Sequence, residues 1–437
     1  MSREMKDSGS EWIGKIPKEW EIVPAKSMFV QRNGKGNKCV LQLLSPTQKF
    51  GVIPQSLYEE KTGQNAVKLD EKTDLSALKT MRKGDYCISL RSFQGGFELS
   101  EYEGVVSPAY QVFYPIKAIS QRYYKHLFKT QRFIDEMNSY TMSLRDGKNI
   151  AFADFGKSYI PVPPLSEQKR IGNYLDFKCS QIDRLSDNIK QQIEELGEYK
   201  KALITQAVTK GLDPDVEMKD SGIEWIGKIP SHWSILRIAN IYTERSETGC
   251  KDDLPILMVS INSGVSNGEV LDEERTRMVV RSEDKSLYKR VYPDDLVYNT
   301  MRAWQGAFGA VRVNGLVSPA YVTAAPKIDI DSRYIEYLLR TPPAKEEMKR
   351  YSYGIADFRM RLYWQYFKNI SVALPPLDEQ HHIASFIDSS YFKIDSVIKK
   401  KSELLETLQD YKKSLIYDYV TGKREVPVSY RKGGSHE

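Results

Sequence analysis

The feature that most limits the folds open to this 437-residue chain is an internal duplication. Met5-Lys-Asp-Ser-Gly-Ser-Glu-Trp-Ile-Gly-Lys-Ile-Pro-Lys-Glu-Trp20 returns as Met218-Lys-Asp-Ser-Gly-Ile-Glu-Trp-Ile-Gly-Lys-Ile-Pro-Ser-His-Trp233, with three differences in sixteen positions (10/223, 18/231 and 19/232) and an offset of 218 − 5 = 213. Three further matches follow in the same order. Phe93-Gln-Gly-Gly-Phe97 pairs with Trp304-Gln-Gly-Ala-Phe308, and Val106-Ser-Pro-Ala-Tyr110 with Val317-Ser-Pro-Ala-Tyr321, both at 211. Val162-Pro-Pro-Leu-Ser-Glu-Gln168 pairs with Leu374-Pro-Pro-Leu-Asp-Glu-Gln380 at 212. Between these frames the copies part company: residues about 25–90 and 238–300 share almost nothing recognisable. Similar frames around different interiors imply two modules of one fold with different ligands.

Each copy ends in a long helical pattern. Pro-Pro-Leu blocks an upstream helix, which puts Ser166 and Asp378 at the N-cap, with Glu167 and Glu379 complementing the positive end of the helix dipole. Ile182, Leu185, Ile189, Gln192, Leu196, Tyr199 and Leu203 then step by three and four. Ile394, Val397, Lys401, Leu404, Leu408, Tyr411 and Leu415 do the same in the second copy. This spacing predicts coiled-coil seams that pack on each other, with Gln192 and Lys401 as register or orientation devices or as positions near the seam's edge. The first helix stops near Gly211 and the second near Thr421-Gly422. Forty-odd residues make a rod on the order of 65 Å, about two turns of B-DNA. A pseudo-two-fold relation between the copies makes the helices antiparallel and places the second beside the N-terminal segment, closing the arrangement.

The interiors read as mixed α and β. Asp85-Tyr-Cys-Ile-Ser-Leu90 and Asp295-Leu-Val-Tyr-Asn-Thr300 predict strands, while Arg122–Phe128 and Arg333–Leu339 predict helix starts. Trp12, Ile13, Ile16 and Trp20, with Trp225, Ile226, Ile229 and Trp233, are read as packing residues that seat each opening segment. Cys39, Cys87, Cys179 and Cys250 stand singly, and adjacent His381 and His382 diverge by about 100° on a helix, so no metal site is expected. No apolar run approaches the roughly 20 residues of a membrane helix, and no signal-peptide core opens the chain, so a cytoplasmic protein is expected. A net charge of +6 permits nucleic-acid binding through local patches without announcing it.

DNA contacts need cations for phosphates and forked or amide donors for base edges. Loop-like, Gly-punctuated stretches supply Arg91, Gln94, Arg145, Lys148 and Asn149 in the first module, and Arg302, Gln305, Arg359 and Arg361 in the second. Arg91 aligns with Arg302 and Gln94 with Gln305, so these suit a shared positioning role or a fold-shaping turn. Arg145, Lys148, Asn149, Arg359 and Arg361 differ between the copies and better suit sequence reading. Lys125, Lys129 and Arg132 lie at helical spacing, as a phosphate face or a solvated one.

The opening M-K-D-S-G-x-E-W-I-G-x-I-P-x-x-W, the P-P-L-x-E-Q before a long helix and the W-Q-G-A element together resemble the specificity subunits of Type I restriction–modification systems. The first copy carries the weaker F-Q-G-G. The resemblance covers the whole chain. It implies an α/β (α+β) fold with two target-recognition domains separated by two long antiparallel coiled-coil helices. It also implies two methyltransferase subunits docked on those helices, restriction subunits joining through them, and double-stranded DNA read as a bipartite asymmetric site. The boundaries expected are 1–165 and 213–376 for the recognition domains, 166–212 and 377–425 for the helices, and 426–437 for a tail. The chain itself shows no Asn/Asp-Pro-Pro-Tyr, no glycine-rich strand–turn–helix for S-adenosylmethionine and no Walker-type loop. S-adenosylmethionine, ATP and Mg are therefore expected in partner subunits, with no cofactor and no catalytic residue here. A stand-alone regulator with two unequal DNA half-sites is the competing reading, and a protein-binding adaptor a third.

Overall fold

A computed structural model of the chain describes residues 3–35, 41–48, 50–64, 78–88, 96–140, 150–248, 254–261, 264–267, 285–354, 360–427 and 430. It divides into two compact units, Met1–Ile189 with Glu403–Glu437, and Lys190–Ser402.

Unit one opens with β1 (Met5–Asp7) and β2 (Lys15–Pro17), an antiparallel pair in which Met5 faces Pro17. Trp12, Ile13, Ile16 and Trp20 are buried, as packing residues should be. There follow β3 (Glu21–Pro24), β4 (Phe29–Gln31), β5 (Leu44–Thr47), β6 (Gly51–Pro54) and α1 (Gln55–Thr62). After these come β7 (Lys79–Met81), β8 (Tyr86–Ile88), β9 (Phe97–Leu99), β10 (Gly104–Val106) and β11 (Gln111–Pro115). The unit's remaining elements are α2 (Gln121–Leu127), α3 (Gln131–Ser139), α4 (Phe152–Lys157), β12 (Tyr159–Val162) and the start of α5 (Leu165–Lys210). The central sheet has the order β4-β11-β8-β9, all antiparallel, with side pairs β5-β6, β7-β10 and β3-β12. Its core is aromatic: the Phe29 ring lies 5.4–5.9 Å from those of Tyr86, Phe113, Tyr124, Phe128 and Phe155. Phe29 is essentially fully buried, and such a side chain contributes roughly 1.5–3 kcal/mol from apolar burial alone.

Unit two repeats the plan. The hairpin β13 (Met218–Asp220) and β14 (Lys228–Pro230) keeps the register of its twin, Met218 facing Pro230. Next come β15 (Ser234–Arg237), α6 (Ile238–Ile241), β16 (Tyr242–Arg245), β17 (Leu257–Ser260), β18 (Gly264–Asn267), β19 (Lys289–Val291) and β20 (Leu296–Asn299). They are followed by β21 (Phe308–Ala310), β22 (Gly315–Val317), β23 (Tyr321–Pro326), α7 (Ser332–Leu339), α8 (Pro342–Arg350), α9 (Trp364–Phe367), β24 (Ser371–Leu374) and α10 (Leu377–Val420). The sheet order β16-β23-β20-β21 and the pairs β17-β18, β19-β22 and β15-β24 match unit one strand for strand. The interiors that differ so widely in sequence thus share one topology.

The Pro-Pro-Leu-x-Glu-Gln motif now has a physical account. Gln168 is buried, its amide donating to Pro163 O (2.8 Å) and its carbonyl accepting from Ser120 N (2.9 Å). Gln380 repeats both bonds with Pro375 O and Asp331 N. The helices start two residues earlier than the expected N-caps imply, at Leu165 and Leu377. Ser166 and Asp378 therefore lie inside the first turn, and the carbonyls of Pro164 and Pro376 accept the first helical N–H groups instead. Gly211 and Gly422 take the left-handed conformation (φ 74° and 71°) that ends each helix, as expected.

Helix α5 and helix α10 run antiparallel within each unit. In unit one Tyr174 lies against Tyr419, ring centroids 4.8 Å apart, and Lys412 reaches Asp183 at 2.6 Å. In unit two Lys401 donates to Gln192 and Lys200 reaches Asp395 at 2.7 Å. The seam differs from the expected one. Ile182, Ile189, Ile394 and Leu415 are buried and Leu196, Leu203 and Leu408 half-buried, but Leu185, Tyr199, Val397, Leu404 and Tyr411 are 42–58% exposed. Ser186, Ile193, Ile398 and Leu405 pack in their stead. Both helices are apolar at adjacent heptad positions, as in Val397-Ile398 and Leu404-Leu405, so spacing alone offers two seams one residue apart. The end of α10 also packs on α2 and on the opening segment of unit one: Tyr123 Oη of α2 donates to Val420 O, and Tyr417 Oη to the carbonyls of Trp12 and Ile13. In unit two Tyr334 Oη donates to Val208 O in the same way. No helix among the described residues is long and apolar enough to cross a membrane.

Candidate nucleic-acid interface

In unit two the strand β20 runs into a tight turn over 300–306. Met301 N donates to Asn299 Oδ1 (3.0 Å), Gly306 N to Ala303 O (2.8 Å), and Ala307 N returns to Arg302 O (3.1 Å). Gly306 has φ 96°, and the Lys345 side chain fills the space a Cβ would need, so the Gln-Gly step is fixed by backbone geometry. Trp304 folds back on the turn, its indole N–H donating to Met301 O (3.1 Å), with Lys349 Nζ 5.7 Å from the ring centroid. The Trp-Gln-Gly element therefore shapes the turn, and Gln305 is half-buried within it.

A second segment closes beside the first. Tyr353 and Arg361 form a two-bond antiparallel bridge (3.0 Å each), and Leu362 N donates to Thr300 O at 2.9 Å. Arg302 and Arg361, 59 residues apart in sequence, thus stand on neighbouring strands of backbone (361 − 302 = 59). Both are exposed, along with Met301 and Tyr353, whose ring lies 4.1 Å from that of Tyr366. Neither guanidinium pairs with a carboxylate among the described residues. That is unlike Arg32 on Asp85 (2.6 Å), Arg245 on Asp295 (3.0 Å) and Arg340 on Glu336 (2.8 Å). Cations tied to internal carboxylates hold the fold, whereas exposed guanidiniums with no carboxylate partner among the described residues, beside a close tyrosine pair, suit an external polyanion.

Arg359 lies outside the described residues, as do Arg91, Gln94, Arg145, Lys148 and Asn149 in unit one. The helical cations of unit one have neighbours within the unit. Lys129 pairs with buried Glu98, Arg132 lies 4.8 Å from the Tyr417 ring centroid, and Lys125 stands 3.8 Å from Asp176. Lys125 and Arg132 are exposed, as a solvated face requires, and only Lys129 is drawn inward by its carboxylate. His381 is tied to Asp331 (2.8 Å) while His382 faces outward, and no metal-binding group of three His, Cys, Asp or Glu gathers among the described residues.

Two matched clamps escaped the reading of the sequence. Asp85 accepts from Arg32 and from Arg82 N. Asp295 accepts from Arg245 and from Tyr292 N. Lys79 and Lys289 each donate to the carbonyl of the tyrosine in Ser-Pro-Ala-Tyr. The signal was present: Lys79-Thr-Met-Arg-Lys-Gly-Asp85 and Lys289-Arg-Val-Tyr-Pro-Asp-Asp295 share a Lys, an apolar residue two on and an Asp six on.

Residues 17–196 match the Type I restriction modification DNA specificity domain. The chain is similar to the specificity subunits of Type I restriction enzymes. It is 28% identical over 315 residues to the Type I restriction enzyme MjaVIII specificity subunit of Methanocaldococcus jannaschii, covering 66% of this chain and 68% of that one. It is 26% identical over 302 residues to the EcoBI specificity subunit of Escherichia coli, covering 65% and 62%. A chain from a solved structure concerned with complex assembly and conformational transition of the type I R-M system shares the fold. Its TM-score is 0.67 at 12% identity, over 94% of this chain and 99% of that one.

Proposed function

We propose that each unit reads one half of a bipartite, asymmetric DNA site, and that the chain acts within a complex whose methyltransferase subunits modify adenine at N6. The observation that carries this reading is the junction of Arg302 and Arg361 through the Thr300–Leu362 hydrogen bond. There two exposed guanidiniums with no carboxylate partner among the described residues stand on joined backbone segments, with exposed Tyr353 on one and half-buried Gln305 on the other. Arg361 suits base reading, since its loop differs between the copies. Arg302 and Gln305 suit positioning. Restriction subunits join through the methyltransferases in this proposal, and S-adenosylmethionine, ATP and Mg belong to those partners.

Methyltransferase docking has its own support. Leu185 matches Val397 and Tyr199 matches Tyr411 at an offset of 212, and all four are exposed. An apolar stripe kept exposed in both copies favours a chain that lives in a complex over a stand-alone regulator. Coexpression with the methyltransferase partner and genome-wide mapping of N6-methyladenine tests the function. Two half-sites at fixed separation are expected; a continuous motif, or none, overturns it.

A further inference from the structure

We propose that Lys79 and Lys289 are a matched pair of phosphate anchors, one in each unit, that grip the DNA backbone beside the reading loops. This rests on the DNA-reading function proposed above and assigns it two residues. Lys79 faces Val106 across β7 and β10, and Lys289 faces Val317 across β19 and β22, so both occupy the same register position opposite the start of Val-Ser-Pro-Ala-Tyr. The Ser-Pro-Ala-Tyr segment is a β-turn in each unit, closed by Tyr110 N to Ser107 O (3.1 Å) and Tyr321 N to Ser318 O (3.0 Å). Each ammonium donates to the tyrosine carbonyl that ends the turn, at 2.7 Å in both units.

That bond uses one of three ammonium donors. Neither lysine has a carboxylate within ion-pair distance among the described residues, although Glu244 acts on Lys289 from further off, whereas Lys129, Lys200 and Lys412 are paired with Glu98, Asp395 and Asp183. Both ammoniums are partly buried, and that burial pushes them below the ordinary lysine range. A neutral donor would cap the carbonyl with less desolvation cost. Yet both copies hold lysine there, although the residues after it differ, Thr80-Met81-Arg82 against Arg290-Val291-Tyr292. A partly desolvated cation with unused donors is completed by an external anionic oxygen.

The surroundings say which anion. Tyr321 pairs with Asn299 at the edge of the candidate interface, and Thr300 Oγ1 approaches Ala320 O (3.4 Å), so the Lys289 turn adjoins Met301 and Arg302. In unit one exposed Lys35 bridges Lys79, and Gln111 pairs with Ile88, the residue preceding the 89–95 segment that carries Arg91 and Gln94. The ligand is therefore a phosphodiester oxygen of duplex DNA. Such contacts position a protein without reading bases, which explains why the anchors are shared where the loops differ.

The test is the salt dependence of duplex binding by the full chain. Lys79→Gln and Lys289→Gln each keep a donor for the tyrosine carbonyl while removing the charge. Each is expected to lower the slope of log K against log salt by ~0.9, and the double variant by twice that; Lys→Arg restores the slope. Over a fourfold change in salt, ~0.9 corresponds to ~3.5-fold in affinity. An unchanged slope in the Gln variants, with only a lower Tm, makes both lysines braces of the turn and overturns the anchors alone. A wild-type chain without salt-dependent DNA affinity overturns the DNA-reading function as well. Amine acetylation of the wild-type chain, read by mass spectrometry, needs no variant. DNA is expected to protect both lysines, and equal labelling with and without DNA counts against the proposal.

Discussion

The two units build one sheet order from cores that keep some side chains, such as Trp20/Trp233, Phe97/Phe308 and Tyr123/Tyr334, and exchange others. Phe113 of unit one faces Tyr86 across the sheet, where unit two has Ala324 against Leu296. Phe29, at the centre of the aromatic cluster, corresponds to Tyr242, whose hydroxyl is bonded to Ser332 (2.6 Å). The same exchange occurs among charges. Near the glycine turn at Gly51, unit one buries Glu98 from β9 and pairs it with Lys129. Near the matching turn at Gly264, unit two buries Glu336 from α7, paired with Arg340 and accepting from Ala310 N (2.9 Å). One space takes its carboxylate from a strand in one copy and from a helix in the other. What persists is strand register, a set of anchoring core residues such as Trp20/Trp233 and Tyr123/Tyr334, and a few polar clamps, and the remaining packing volume is renegotiated around them.

The largest test of this comparison is at the paired tryptophans. Trp20 and Trp233 are equally buried, but the Trp20 indole N–H donates to Glu167 (2.9 Å), while the Trp233 indole N–H has no partner among the described residues. Replacing either by Ala is expected to cost ~3–5 kcal/mol, read as lost hydrogen-exchange protection in the unit concerned. Phe separates them. Trp20→Phe leaves the Glu167 carboxylate short of a donor, whereas Trp233→Phe removes an orphan and is expected to cost less. Equal losses would mean that the indole bond contributes nothing.

The next effect concerns function. Arg361→Ala is expected to cost ~1–3 kcal/mol of discrimination, confined to one half of the methylated motif. Arg302→Ala is expected to weaken binding across sequences without changing the motif. Loss of both halves of the motif in Arg361→Ala would make that residue structural.

Much of the frame was legible because repetition doubles every signal: the packing role of Trp20 and Trp233, the long helices after Pro-Pro-Leu and the glycine stops at Gly211 and Gly422 were read correctly, while the N-caps at Ser166 and Asp378 were not. The seam was not, since neighbouring apolar positions give spacing two solutions and only the partner helix selects one. The Lys79 and Lys289 clamps were missed because their pattern sits at an offset of 210, between frames at 211 to 213, inside a stretch that otherwise looks unrelated. At the candidate site, the union of Arg302 with Arg361 depends on a backbone bond from Leu362 to Thr300, which no local pattern encodes.

A smaller effect is expected from pH. Burial raises the Glu98 carboxyl to about 7, against an opposing pull from Lys129, while its ordinary value is 4.5. Between those values folded unit one holds more protons than the unfolded chain. Its stability therefore falls as pH rises through that window and levels off above it. Asp176 shifts the other way: burial raises it, but the hydrogen bond with His126 and nearby cations prevail and lower it, so its contribution lies below the Glu98 window. Glu98→Gln is expected to flatten the denaturant midpoint of unit one between pH 5 and 7 and to leave unit two unaffected. A slope that survives in the variant would assign the proton to another group.

The smallest effect is also the sharpest check on equivalence. Lys412–Asp183 in unit one and Lys200–Asp395 in unit two are the same pair at an offset of 212, with both aspartates 56% exposed. Exposed pairs contribute ~0–1 kcal/mol, screened further by salt. Lys200 has one contact its twin lacks: its ammonium lies 4.0 Å from the Tyr391 ring centroid. A cation over an aromatic face at an exposed site adds ~0.5–1 kcal/mol and responds less to salt than the ion pair does. Lys412→Ala is therefore expected to cost under ~1 kcal/mol at low salt and almost nothing at 1 M, while Lys200→Ala retains part of its cost. Hydrogen exchange across both helices at two salt concentrations separates the outcomes, and identical salt responses would mean that the Tyr391 contact carries no energy of its own.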